Sequence, residues 1–190
     1  MKKTLITILC TVLVCSCVMG ATLALLTAKT DTVTNTFTIG NVNIELTETK
    51  ELDENGLRTF KMVPGSRIDK DPMVTVVGGS EACWLFVKID KANNFDTYMT
   101  FATATGWTEL TTGSGIYYRE VASNAADQTF YVLSGGTGDK GSVLVNDDIT
   151  KAQADALTTS KAYPTLSFTA YAVQKDNVAD AAAAWAAVNP

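Results

Sequence analysis

The chain has 190 residues, a formal net charge of −5 at neutral pH and no histidine. This length fits one domain with a buried core, and the acidic balance argues against nucleic acid or anionic lipid as a partner. The absence of histidine excludes Ser-His and Cys-His catalytic pairs as well as histidine-based zinc sites.

The N-terminal segment has the three-part pattern of a secretory signal peptide. Lys2 and Lys3 form a short positive start, and residues 4–19 are apolar or small without charge. Thr22-Leu23-Ala24 then places small residues at the −3 and −1 positions of a signal-peptidase site. The uncharged run is shorter than the ~20 residues of a spanning helix, which argues against a retained membrane anchor.

We therefore expect cleavage between Ala24 and Leu25, so that residues 1–24 are the signal peptide and 25–190 form one domain. Removal of 24 from 190 residues leaves 166, with 13 basic and 20 acidic side chains and a net charge of −7. A lipoprotein signal with Cys17 as the lipidated residue stays open as an alternative.

Cys83 is the one cysteine that lies beyond the predicted signal. It stands in the apolar pattern ACWLFVKI, which favours a buried small side chain. A reactive thiol or an intermolecular disulfide is the alternative. The processed chain can form no internal disulfide, so its stability must come from packing.

Alternating apolar and polar residues predict a series of short strands. Residues 34–39 place Phe37 and Ile39 on one face and Thr34 and Thr36 on the other. Residues 82–89 are the most apolar segment and are predicted to form a central strand. Further predicted strands are 41–46, 57–63, 73–77, 106–110, 115–121, 128–133, 142–145 and 165–173.

Two short helices are predicted near the C-terminus. Thr150 and Gln153 form a capping-box pattern at the start of ITKAQADAL. Asp176 or Asn177 is predicted to cap the alanine-rich run VADAAAAWAAV. Many short strands with two peripheral helices predict an all-β fold, an antiparallel jelly-roll-like β-sandwich.

One glycine motif and two acidic pairs are candidate ligand sites. Residues 136–141 read G-x-G-x-x-G, but the strand-like SVLVN follows, so we interpret them as a hairpin loop and not as a dinucleotide site. Asp69 with Asp71, and Asp147 with Asp148, have the oxygen ligands that Ca²⁺ prefers. Solvated turn carboxylates are the favoured interpretation of both pairs.

A group of aromatic residues is the candidate for a sugar-binding face. Aromatic residues more often fill a sandwich core or pair across strands, and that interpretation is favoured. The group comprises Trp84, Trp107, Tyr117, Tyr118, Phe130 and Tyr131.

Four segments carry a resemblance to a known family. They are TLA at the expected cut, TNTFTIGNVNIELTE after it, VPGSRIDKDPMVTVVGGSEACWLFVKI in the middle and YPTLSFTAYAVQKDNVADAAAAWAAV at the end. Together they resemble the TasA/camelysin family of Gram-positive surface and biofilm-matrix proteins. The resemblance implies a signal cut by the peptidase SipW, a jelly-roll-like β-sandwich and an extracellular or wall-associated location.

The resemblance also implies a mode of assembly. In TasA-type members a fibre grows when the N-terminal strand of one subunit completes the sheet of the next. Residues 29–39 occupy the matching place, and Thr34, Thr36, Phe37 and Ile39 are the candidate assembly positions. Return of this strand to its own sheet stays open as the alternative. The chain departs from TasA in having Leu25-Leu26 where an aromatic residue is usual.

Camelysin carries a metalloprotease label, which the chain does not support because it lacks the H-E-x-x-H motif. We expect no enzyme activity, no cofactor and no metal. The sequence predicts a secreted structural protein whose partner is itself or a related matrix subunit. A monomeric surface-binding module for glycan or protein is the alternative, and a secreted protease is the least favoured.

Overall fold

The computed structural model describes residues 41–50, 60–157 and 162–188. The predicted signal peptide, the cut between Ala24 and Leu25 and the predicted strand 34–39 lie outside the described residues. The strands are β1 (Ile44–Thr47), β2 (Arg67–Asp69), β3 (Met73–Val76), β4 (Cys83–Lys91), β5 (Met99–Phe101), β6 (Thr108–Glu109), β7 (Ile116–Val121), β8 (Gln128–Tyr131), β9 (Ser142–Val145) and β10 (Leu166–Gln174). The α-helices are α1 (Phe95–Tyr98), α2 (Lys151–Ala156) and α3 (Ala181–Val188).

The strands form three antiparallel sheets, which confirms the prediction of an all-β fold. Their orders are β1-β3-β8, β10-β4-β7-β6 and β2-β9-β5. The predicted central strand is indeed internal, since β4 pairs with β10 on one side and with β7 on the other.

The first five residues of β4, Cys83–Val87, are all apolar because both faces of the strand are covered there. Leu85 and Val87 point into a core shared by all three sheets, where they join Val74 of β3 and Val145 of β9. Phe86, on the opposite face, is fully buried in a second cluster beneath α3. A strand buried on both faces loses the period-two pattern and reads as a continuous apolar run.

Several strand boundaries differ from the predictions. Strands β2 and β5 were not predicted, because three residues are too few to display a period of two. The predicted strand 57–63 is wrong over residues 60–63, which form no strand, and the rest of it lies outside the described residues. Of the predicted strand 106–110, only Thr108–Glu109 form a strand, β6.

The first described strand begins later than predicted, because the residues before it bind the turn between β3 and β4. The Asn43 amide donates to Ser80 Oγ at 3.1 Å. The Asn41 carbonyl accepts from the Glu81 amide at 3.0 Å.

The capping box at α2 is confirmed. Thr150 N donates to Gln153 Oε1 at 2.8 Å, and Gln153 N donates to Thr150 Oγ1 at 3.3 Å. The predicted cap of the last helix is wrong. Asn177 occupies a turn with a φ of 63°, and Asp180 Oδ1 accepts from the Ala183 amide at the start of α3.

Candidate assembly edge

The longest strand edge without a backbone partner in the described ranges belongs to β10. All nine residues of β10 pair with β4, from Leu166 opposite Lys91 to Gln174 opposite Cys83. Within residues 41–50, 60–157 and 162–188, no strand forms a hydrogen-bonded ladder with the second edge of β10. Such an edge presents N–H and C=O groups that can pair with another strand.

Strand β1 lies beside β10 without joining it. Cα atoms of the two strands approach within 8 Å, yet among the described strands β1 forms its ladder with β3 and not with β10. We call this boundary between β1 and β10 the seam. Two neighbouring strand edges therefore meet there without a shared backbone ladder.

The core is incompletely covered at the seam on the β1 side. Leu46 pairs with Val74 and Ile44 pairs with Val76, and directly opposed residues share one face of a sheet. Val74 is 0% exposed, whereas Leu46 on the same face is 38% exposed. The apolar face of this sheet therefore continues beyond the point where the opposing sheet covers it.

The same opening is visible on the β10 side. Phe168 and Ala170 point toward the shared core and are only half-buried. Their partners on β4, Ile89 and Val87, are buried. Side chains on this face are therefore less buried on β10, beside the seam, than on the neighbouring strand β4.

A charged pair closes one end of the seam. Lys70 Nζ donates to both carboxylate oxygens of Glu48 at 2.8 Å, and the two side chains are 11% and 10% exposed. The same ammonium lies 5.4 Å from the ring centroids of Phe60 and Phe168. Lys70 and Glu48 therefore form a nearly buried ion pair, and the Lys70 ammonium lies close to two aromatic rings.

The described chain begins at the other end of the seam. The Asn41 carbonyl binds the Glu81 amide, and the adjacent Ala82 carbonyl accepts from the Lys175 amide just after β10. The predicted strand 34–39 ends two positions before Asn41 in the sequence. The structure does not describe that strand or its candidate residues Thr34, Thr36, Phe37 and Ile39.

The glycine motif is a loop, as predicted, but it is not a hairpin, because it connects β8 and β9, which lie in different sheets. Thr137–Asp139 form a single 3-10 turn, and β9 follows where a dinucleotide site would need a helix. The loop is closed by the Ser142 amide, which donates to the Ser134 carbonyl at 3.1 Å.

The first acidic pair serves as hydrogen-bond acceptors for neighbouring loops. Asp71 Oδ1 accepts from the Thr49 amide at 3.1 Å, and Asp69 Oδ1 lies 3.4 Å from the Thr137 amide. Both carboxylates border an open cleft of about 410 Å³ that Phe60 also lines. In the described ranges, no three His, Cys, Asp or Glu side chains converge as a metal site would require.

The aromatic residues are divided between two faces, so they do not form one sugar-binding platform. Trp84 and Tyr118 stack edge to face at 6.0 Å on the α3 side of their sheet. Trp107 and Phe130 lie on the shared-core side, where the Arg119 guanidinium is 3.8 Å from the Phe130 ring centroid. Burial lowers the pKa of Arg119, an inward-facing cation that the sequence pattern did not reveal.

Cys83 is fully buried, which confirms its predicted role as a small core residue. Burial raises the pKa of its thiol to about 11. A thiol that keeps its proton is a poor nucleophile, which disfavours the reactive alternative.

The raised pKa of Cys83 predicts a loss of stability at high pH. The unfolded chain releases the thiol proton near pH 9, while the folded chain keeps it until about pH 11. Stability is therefore complete below about pH 9, and about 2–3 kcal/mol of it is lost as the pH rises to about 11. Urea unfolding of wild type and Cys83→Ala across this range measures the effect. Parallel pH profiles for the two proteins would contradict it.

The longest α-helix in the described part of the chain has eight residues, and no described helix meets the length and hydropathy of a membrane span.

Comparison of the chain with protein-family models, curated proteins and solved structures finds no match.

Proposed function

We propose that the chain is a secreted structural protein of the cell surface or biofilm matrix, of the TasA/camelysin type. In this proposal SipW cleaves after Ala24, and the domain is a jelly-roll-like β-sandwich. Residues 29–39 of one subunit add as a strand to the seam of the next. The observation that carries the proposal is the half-covered core beside the edge of β10 that pairs with no strand of residues 41–50, 60–157 and 162–188.

The predicted strand has the side-chain pattern that this position needs. Phe37 and Ile39 share a face and would cover the apolar floor of the seam, while Thr34 and Thr36 would face water. A strand between β1 and β10 requires them to stand about 9.6 Å apart, twice the ~4.8 Å strand spacing. Because some of their Cα atoms lie within 8 Å of each other, the short strand β1 must move outward by at least about 2 Å.

The favourable and unfavourable free-energy terms of such an addition are close to balanced. Full burial of Phe37 and Ile39 contributes about 1.5–3 kcal/mol each, and each new backbone hydrogen bond contributes about 0.5–1.5 kcal/mol. Ordering the strand costs about 1–2 kcal/mol for each residue fixed. Since the two sums are similar, removal of either apolar side chain should shift the balance against assembly.

The test is the assembly state of purified residues 25–190. We expect high-molecular-weight polymers by size-exclusion chromatography and negative-stain microscopy. Deletion of residues 25–39 should abolish them while the circular dichroism spectrum stays β-rich. The double variant Phe37→Ala/Ile39→Ala should reproduce this loss, and Thr34→Ala/Thr36→Ala on the opposite face is the matched control.

A strictly monomeric protein whose fold is unaffected by the deletion would refute the assembly proposal. It would favour a monomeric surface-binding module, for which the cleft beside Asp69 and Asp71 is the supporting observation. That module would show saturable binding to wall or glycan fractions, and Asp69→Ala/Asp71→Ala would weaken the binding. A secreted protease is a third candidate. Proteolysis that survives rigorous purification would establish it.

A further inference from the structure

Arg119 is a cation on the apolar face of a strand. It lies on β7 opposite Leu85 of β4, which is fully buried in the shared core. Directly opposed residues share one face of a sheet, so the half-buried Arg119 side chain enters the same apolar layer. Within the part of the chain that the structure describes, no carboxylate forms an ion pair with it. A cation on an apolar face is normally paired, so this position needs an explanation.

The guanidinium is held in place by two rings and a close backbone. Its Cζ lies 3.8 Å from the ring centroid of Phe130 and 5.3 Å from that of Trp107. Trp107 is itself fixed, because its indole N–H donates to the Tyr131 carbonyl at 2.8 Å. A Cβ at Gly106 would lie 3.0 Å from Nη2 and 3.4 Å from Cζ, so no side chain of residue 106 would fit beside the group. The guanidinium is therefore already oriented before any ligand arrives.

The three nitrogens of Arg119 differ in their access to solvent. Nε is fully buried and has no hydrogen-bond partner, whereas the terminal nitrogens Nη1 and Nη2 are not enclosed in this way. The ring of Phe130 attracts the positive charge through its face, but it does not accept hydrogen bonds from N–H groups that lie in the guanidinium plane. The terminal N–H groups of Arg119, near the exposed Gly106, can therefore take an acceptor from outside the described chain.

The geometry of these donors selects the chemistry of the ligand. Two parallel N–H groups of a guanidinium match the two oxygens of a carboxylate. The net charge of −5 opposes multiply charged anions, so a singly charged group suits the site better than a phosphate ester. An acidic sugar would also use an exposed aromatic face, but Trp107 is 8% exposed and the guanidinium covers the ring of Phe130. A carboxylate on a polypeptide needs no such face.

We propose that Arg119 forms a carboxylate-binding site beside Gly106, where its terminal nitrogens bind an Asp, Glu or C-terminal carboxylate of a partner polypeptide. The site is independent of strand addition at the seam. The seam lies between β1 and β10, whereas the rings and backbone around Arg119 belong to β8 and to the residues beside β6, which end the same two sheets on the opposite side.

Nuclear magnetic resonance of the arginine Nε–H groups tests the site. The chain has three arginines, so these signals are few. We would titrate residues 25–190 with N-acetylglycine, which carries one peptide-like carboxylate, at constant ionic strength. The Arg119 signal should shift saturably, with a dissociation constant of roughly millimolar. Arg67 is the internal reference, because its Nη1 already donates to Ser142 Oγ. An unmoved Arg119 signal, or an unsaturable shift of equal size at Arg67, would overturn the proposal.

Three variants identify the binding group. Arg119→Lys keeps the charge but loses the paired donors, and Gly106→Ala displaces the guanidinium, so each should weaken binding at least about tenfold. Gly113→Ala is the matched control for Gly106→Ala, since it also has a positive φ but no atom within 4 Å of the added Cβ. The backbone amide of Trp107 reports binding in all of them. Wild-type affinity in Arg119→Lys would refute the assignment.

Two further probes test the class of ligand. Glucuronate and methyl phosphate should bind no more tightly than N-acetylglycine, because the site offers one guanidinium and no open aromatic face. Binding of either probe about tenfold more tightly than N-acetylglycine would overturn the choice of a polypeptide carboxylate.

Arg119→Met separates binding from a purely structural role. The substitution keeps an unbranched side chain over Phe130 and removes the buried, unpartnered Nε–H, so the urea midpoint of unfolding should stay the same or rise while binding of N-acetylglycine is lost. A clear fall in the midpoint, with no binding by the wild-type protein, would show that Arg119 only supports the fold.

Discussion

Replacement of Phe86 by alanine is expected to lower the free energy of unfolding by about 3–5 kcal/mol. Phe86 is fully buried, and its ring lies 5.4 Å from that of Trp185 in α3 and 6.3 Å from that of Tyr118. The substitution removes the side chain that joins the central strand β4 to the C-terminal helix. Urea denaturation and thermal melting measure the loss, which corresponds to a fall in melting temperature of about 10 °C.

The matched control for Phe86→Ala is Ser167→Ala. Ser167 lies on the same outer face of the sheet but is exposed, so its substitution should change stability by less than about 0.5 kcal/mol. If Phe86→Ala cost no more than this control, α3 would not be packed on β4 in solution. The second cluster of the fold would then need to be reassigned.

Substitution of Gly141 by alanine is expected to cost about 3 kcal/mol or more. A Cβ at this position would lie 2.5 Å from the carbonyl oxygen of Lys70, and the backbone φ is +122°. Both the forced displacement of backbone and the unfavourable φ act against the folded state. The free energy of unfolding from urea titration measures the cost.

Gly113→Ala separates the two contributions in Gly141→Ala. Gly113 also has a positive φ, of +78°, but no atom lies within 4 Å of a Cβ built there. Its substitution should therefore cost about 1 kcal/mol, the conformational share alone. Equal losses from the two variants would show that the close approach to Lys70 does not exist in solution.

The close backbone contacts of Gly136 and Gly141 explain why the G-x-G-x-x-G motif occurs in a chain without a dinucleotide-binding fold. A Cβ at Gly136 would lie 2.6 Å from the carbonyl oxygen of Gly141, so the first and last glycines of the motif allow two backbone segments to touch. The same residue spacing that admits a phosphate can admit a neighbouring backbone instead. Only the strand that follows, visible in the sequence as SVLVN, distinguishes the two cases.

The all-β class and most long strands could be read from the sequence, because packing on a buried face enforces a period of two. Ser142–Val145 was predicted to the residue, and the predicted 165–173 differs from β10 by one residue at each end. The cap of α3 could not be read, because Asp176, Asn177 and Asp180 all have side chains that can cap a helix. Their tertiary surroundings decide which one does so.

The sequence predicted the strand that we propose to add, 34–39, but not the edge of β10 to which it would add. The alternation at Phe37 and Ile39 predicts a strand, but no local pattern shows which edge is without a ladder among the described strands. The exposure of Leu46 and the pairing of Glu48 with Lys70 depend on residues 22 or more positions apart. Such features arise from the order of strands in the sheets, which sequence periodicity does not encode.

The depth of Cys83 also bears on how any assembly would behave outside the cell. Secretion places a protein in oxidising surroundings, where accessible thiols become covalent links between molecules. The described part of the chain contains a single thiol, that of Cys83, and it is fully buried in the central strand β4. If subunits assemble as proposed, Cys83 would therefore form no disulfide between them, and the assembly would resist reductants yet dissociate when a competing strand displaces its own.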